Sequence, residues 1–158
     1  MFDEEREELE RLLDDLDAPQ TDDGARQLRL PSGATLTLSM PPDLPDVYAE
    51  AEVMPLPDDA CDRERCRDLA TLNFFWHELE GFVVALRDGK LMAEAREDLA
   101  RLADYEALEA WLVRADKAVC AIRAVALAPR TTPDGASEGA AETGAEPESK
   151  GEEVVVWP

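Results

Sequence analysis

The most informative signal in the chain is a change of hydrophobic period in the stretch LATLNFFWHELEGFVVALRDGKLMAEA. Leu69, Leu72, Phe75 or Trp76, and Leu79 recur at steps of three and four while Arg67, Asp68 and Glu78 fall elsewhere, which predicts an amphipathic helix. Gly81 ends it. The β-branched and aromatic run from Phe82 to Leu86 then predicts a strand with both faces covered. Asp88-Gly89 supplies the positive φ angles of a two-residue hairpin loop. Leu91, Ala93 and Ala95 alternate with Met92, Glu94 and Arg96, so a second strand returns antiparallel to the first.

The same patterns extend outward in both directions. Residues 3 to 16 place Leu9, Leu12, Leu13 and Leu16 on one helical face, with Phe2 one heptad before Leu9 and an acidic first turn that complements the helix dipole. Leu28 and Leu30, the turn Pro31-Ser32-Gly33, and Leu36, Leu38 and Met40 alternating with Thr35, Thr37 and Ser39 predict a hairpin with one solvated face. After a proline break, Val47, Ala49, Ala51 and Val53 alternate with Tyr48, Glu50, Glu52 and Met54 as a third strand. Asp58 or Asp59 is placed to cap the helix that continues to Leu79, and Asp104 to cap a last helix. That last helix carries a heptad-like stripe of Tyr105, Leu108, Leu112, Ala115, Val119, Ile122 and Ala126. The order is helix, three strands, helix, two strands, helix: an α+β domain over residues 1–128 with a twisted antiparallel sheet and three helices. Residues 129–158 are acidic and hold no apolar side chain larger than Ala before Val154, which predicts a disordered tail.

Charge narrows the function. With 16 basic against 37 acidic residues in 158, the net charge of -21 repels phosphate backbones and anionic lipid, and favours a basic or hydrophobic protein partner. No nucleic-acid binding and no membrane insertion are expected, since no apolar run approaches the ~20 residues that span a bilayer. MFDEEREELE has neither a positive region nor an apolar core, so no export signal is visible and a cytoplasmic protein is expected. Cys61, Cys66 and Cys120 form neither a Cys-x-x-Cys motif nor a disulfide framework and read as thiols in a reducing compartment.

Candidate chemistry adds little. The one histidine, His77, lies beside Trp76 and reads as a structural or interface residue, and a five-residue step between Cys61 and Cys66 puts them on different helical faces, which argues against zinc. Phosphate-binding glycine loops and nucleophile elbows are absent, and the carboxylates are spread along helix surfaces rather than paired in apolar pockets. No catalytic residue, metal or cofactor is expected. Function is expected in surfaces.

LRLPSGATLTLSM as the first hairpin, VYAEAEVMPLP leading into the second helix, and LNFFW before FVVALRDGKLMAEA, in this order of elements, resemble the class I chaperones of type III secretion, the Tir and Yop effector chaperone family. The resemblance covers residues 4 to about 127. It implies an αβββαββα protomer that forms a homodimer and, without ATP or catalysis, binds the extended N-terminal segment of a secreted effector. Carried onto this chain, it implies an effector groove of Leu9, Leu12, Leu13 and Leu16 with Val83, Ala85, Met92 and Glu94, and a dimer contact of Leu72, Phe75, Trp76 and His77. The tail ending EEVVVWP departs from the family pattern. Its VVVW run is expected either to dock on the groove as a placeholder or to be a disordered end. Two other readings stay open: a cytoplasmic regulatory or adaptor protein of the same fold, and an acidic decoy for a nucleic-acid-binding protein.

Overall fold

The ten-residue strand Asp46–Pro55 is the middle of a five-stranded sheet, and its alternation sets the two faces of the molecule. Val47, Ala49, Ala51 and Val53 are buried, while Tyr48, Glu50 and Glu52 point to the opposite face. The computed structural model describes residues 2–56, 63–74 and 79–129. The chain divides into two units, Met1–Ala128 and Pro129–Pro158, and the first carries the fold. Apart from Pro129, the expected tail and its VVVW run lie outside the described residues.

The elements in order are α1 (Asp3–Asp15), β1 (Arg26–Arg29), β2 (Thr35–Ser39), β3 (Asp46–Pro55), α2 (Arg63–Phe74), β4 (Val83–Arg87), β5 (Lys90–Asp98), α3 (Leu99–Leu102) and α4 (Tyr105–Leu127). The sheet runs β1-β2-β3-β5-β4, with every neighbouring pair antiparallel. Asp88 and Gly89 adopt φ of 50° and 71°, as the two-residue loop between β4 and β5 requires. This is the expected α+β order with one addition. The four-residue α3, capped by Asp98 accepting from the Ala100 N–H, is too short to leave a period in the sequence.

One face of the sheet is closed by α4. Small side chains at Ala49, Ala51 and Ala93 let the helix approach, and Leu108, Trp111, Ala115, Ala118, Val119 and Ile122 bury against that face. Trp111 is the largest of these, at 2% exposure, with its ring 5.5 Å from the buried Phe82 ring. The heptad reading of α4 was therefore set slightly to one side. Tyr105 is half exposed, and the buried face is widened by Trp111, three residues after Leu108 and four before Ala115, and by Ala118, three after Ala115 and four before Ile122. Asp104 caps the helix, accepting from the Ala107 N–H at 2.9 Å.

Polar ties fix the periphery to this core. Arg6 donates to the Met40 and Pro41 carbonyls at 2.7 Å each, and Arg26 pairs with Glu10 and Asp14 and donates to the Ala18 carbonyl, so α1 is tied to both strands at the open end of the β1–β2 hairpin. From α4, Asp116 accepts from the Ser32 N–H at 2.8 Å, and Arg123 bridges the Ser32 and Val53 carbonyls at 3.1 Å each. The hairpin turn is thereby latched to the helix. The expectation that Phe82–Leu86 is covered on both faces fails, because β4 is an edge strand. Phe82 is buried, but Val83 and Leu86 are 42% and 58% exposed.

The core and the caps make different predictions. Trp111→Ala should lower unfolding free energy by about 3–5 kcal/mol in urea titrations, through lost burial and the cavity left behind. Asp104→Ala should cost only about 1 kcal/mol by the same measurement.

Candidate functional site

The leucines of α1 meet different fates. Leu9 and Leu13 are fully buried and Leu12 is 4% exposed, all three inside the protomer's own core. They are not groove residues, which corrects the expectation for these three. A stripe on a helix looks the same in sequence whether it packs on its own sheet or waits for a partner. Leu16 differs. It follows the last turn of α1, is half-buried, and with Pro19, Gln27, Leu28 and Arg29 lines an open groove of about 340 Å³.

That groove runs beside the outer edge of β1, whose start is already paired with residues 19–21 through the bridge Gln20 to Arg26. The Leu30 N–H bonds to the Ala34 carbonyl at 2.9 Å, so by strand alternation Leu28 and Arg26 bond to β2 while Gln27 and Arg29 turn their backbone groups outward. The Pro19 carbonyl takes the Gln27 N–H at 3.0 Å. Among the described residues, the Gln27 carbonyl and both backbone groups of Arg29 have no protein partner. An apolar floor next to unpaired edge groups is what an extended peptide needs: side-chain burial plus a short ladder.

The open face of the sheet brings the other four expected groove residues together. Val83 stands opposite Glu94 and Ala85 opposite Met92, all on the face away from α4. Around them the charges are paired across strands: Arg87 with Glu50 at 2.7 Å and Glu94 at 2.8 Å, Lys90 with Glu52 at 2.7 Å, and Arg96 with Asp46 at 2.6 Å. The Arg96 guanidinium also lies 5.8 Å from the Tyr48 ring centre. Exposed pairs of this kind contribute little stability. Their effect is to leave a nearly neutral face on a strongly acidic chain. The hydrogen bond that Lys90 donates to Glu52, then the Glu52 charge, raises the Lys90 ammonium pKa above its ordinary value. Any stability from that pair is complete at neutral pH and is lost as pH rises through the folded-state value. A depression of about 400 Å³ opens beside Val83, Glu94 and Arg96.

The third surface is where α2 meets β4. Leu72 is half-buried against the core, whereas Phe74 is 82% exposed and Leu86 nearby is 58% exposed. A small apolar cavity of about 180 Å³ lies between them, walled by Leu56, Leu69, Val84, Leu86 and Leu91. Phe75, Trp76 and His77, expected at a dimer contact, lie outside the described residues. Phe74 was passed over because it falls off the apolar stripe of α2. That is the position an interface side chain takes when the stripe itself is used by the core.

No group of three or more His, Cys, Asp or Glu among the described residues is arranged to hold a metal, and no described helix is long and apolar enough to cross a membrane. Cys120 is a free, exposed thiol. Cys66 is disulfide-bonded, which corrects its reading as a thiol.

Comparison with known proteins rests on structure, since neither a family model nor a curated protein matches the sequence. A chain of the ExsC–ExsE complex superposes with a TM-score of 0.62 at 20% identity, covering 80% of this chain and 97% of that one. A chain of the HopA1–SchA chaperone–effector complex gives 0.57 at 17% identity, covering 73% and 93%. One from the heterodimeric ExoU–SpcU complex of the Pseudomonas aeruginosa type III secretion system gives 0.52 at 17% identity, covering 73% and 94%. The chain thus has the fold of class I type III secretion chaperones, as the resemblance in its sequence implied.

The burial pattern can be checked directly. Leu13→Asp should abolish cooperative thermal unfolding followed by circular dichroism, whereas Leu16→Asp should retain it with a small shift in midpoint.

Proposed function

We propose that this protein is a cytoplasmic chaperone of type III secretion that binds the extended N-terminal segment of a secreted effector and keeps it secretion-competent, without ATP or catalysis. The observation that carries this reading is a short accessible strand edge, the Gln27 carbonyl and both backbone groups of Arg29, beside the groove lined by Leu16 and Leu28, on a fold shared with chaperone–effector complexes. An incoming segment adds backbone bonds at Arg29 and sets alternate side chains on Leu16 and Leu28. Val83, Ala85 and Met92 offer a second, shallower strip on the open face of the sheet. Holding the segment extended delays its folding without any chemical step.

The same reading includes a homodimer. Phe74 is an exposed aromatic side chain on a small domain, Leu86 is exposed on the strand that α2 packs against, and a twofold contact buries both with their copies. The net charge of -21 favours effector segments with an excess of Lys and Arg, which raises the association rate at low salt. An adaptor of the same fold with no secretion role is the second reading. It differs in that its partner is bound as a folded domain.

Two measurements test this. Leu16→Asp should weaken binding of the effector's N-terminal segment by tenfold or more in calorimetry, with wild-type stoichiometry and secondary structure kept. Binding unaffected by Leu16→Asp removes the groove from the mechanism. Light scattering should return twice the chain mass for the wild type and a single chain mass for Phe74→Glu.

A further inference from the structure

One side chain occupies the middle of the β4 edge. Asn73, in the last turn of α2, donates from Nδ2 to the Val84 carbonyl at 2.9 Å and accepts at Oδ1 from the Val84 N–H at 2.7 Å. A carboxamide carries the same donor and acceptor as a peptide group, and here it makes the pair of bonds that a residue of a sixth strand would make. The ladder shows why Val84 is the residue taken. Arg87 and Lys90 close the two-residue hairpin as a bonded pair, so Ala85 and Val83 also bond to β5, while Val84 and Leu86 turn outward. The next outward N–H, that of Phe82, bonds to the Leu79 carbonyl at 3.0 Å. Among the described residues that leaves the Phe82 carbonyl and both backbone groups of Leu86 open on the β4 edge, on either side of the capped Val84.

We infer that Asn73 is an edge-closing residue: it caps β4 against strand addition by a second copy of this chain. The surroundings give such a cap a purpose. Val83, Leu86 and Phe74 are exposed apolar side chains bordering the capped position, and an exposed, apolar and unpaired edge strand is a template for antiparallel pairing with its own copy. Charged residues are the usual deterrent on an edge, and β4 has one, Arg87, which is engaged with Glu50 and Glu94 on the open face. With Val84 capped, a second copy meets this surface through side chains alone. The inference deepens the dimer reading above, and the two fail separately: the wild-type mass tests the dimer, and exchange at Val84 tests the cap.

The experiment compares amide hydrogen exchange and mass for the full chain and for Asn73→Ala. After correction for intrinsic rates, the wild-type Val84 amide should exchange about tenfold or more slowly than Leu86, its open neighbour on the same edge. In Asn73→Ala the two rates should converge at low concentration, and at high concentration an assembly of about twice the wild-type mass should appear. Asn73→Leu, of similar size and without hydrogen-bonding groups, should behave in the same way and stands in if the alanine variant does not fold. A Val84 amide as fast as Leu86 in the wild type, or still slow in the variants, overturns the cap. Variants with a fast Val84 amide and unchanged mass at all concentrations overturn its guarding role.

Discussion

Everything outward-facing in this molecule depends on the seating of α4 across the inner face of the sheet. Trp111 and the aliphatic positions around it fill the space over Ala49, Ala51 and Ala93, where larger residues would hold the helix away. From that seat Asp116 and Arg123 reach the β1–β2 turn and the end of β3, so a single helix fixes both the hairpin and the central strand. The leucines of α1 complete the same core. Among the described residues, the surfaces left beside that core include the edge of β1, the open face of the sheet, and the region where α2 meets β4.

Those three surfaces divide by chemistry. The β1 edge offers unpaired backbone groups beside Leu16 and Leu28 and suits an extended chain. The open face is crossed by ion pairs that use up its charges, which gives it low affinity for either sign despite the acidity of the chain. The region of Phe74 and Leu86 is apolar with its edge closed by Asn73, and suits contact between side chains. A cap at the middle of the β4 edge breaks the run of backbone groups that a copied strand needs, and this limits self-assembly there while the end of β1 keeps a place for a ligand.

The elements were legible wherever the hydrophobic period was long. Alternation through Thr35–Ser39, Asp46–Pro55 and Lys90–Asp98 gave strands and their inward residues, and Asp88-Gly89 gave the hairpin, because these rest on local rules of pleat and turn. Trp111 was missed because a heptad template drew the stripe through Leu112, although the two positions sit side by side on the helix. The site was less legible. Whether Leu12 or Leu16 faces a partner depends on where the sheet ends relative to the helix, which no local pattern encodes. The Asn73 contact joins residues from different elements, and no local period in the sequence links Asn73 to Val84.

The central claim, that an extended segment is bound at the β1 edge, is tested most directly by hydrogen exchange on both partners of the effector complex. New protection is expected in a continuous stretch of the effector that exchanges freely when alone, matched on this chain by protection at Arg29 and around Leu16. Protection spread over a folded effector domain, with Arg29 exchanging as fast as in the free protein, contradicts it.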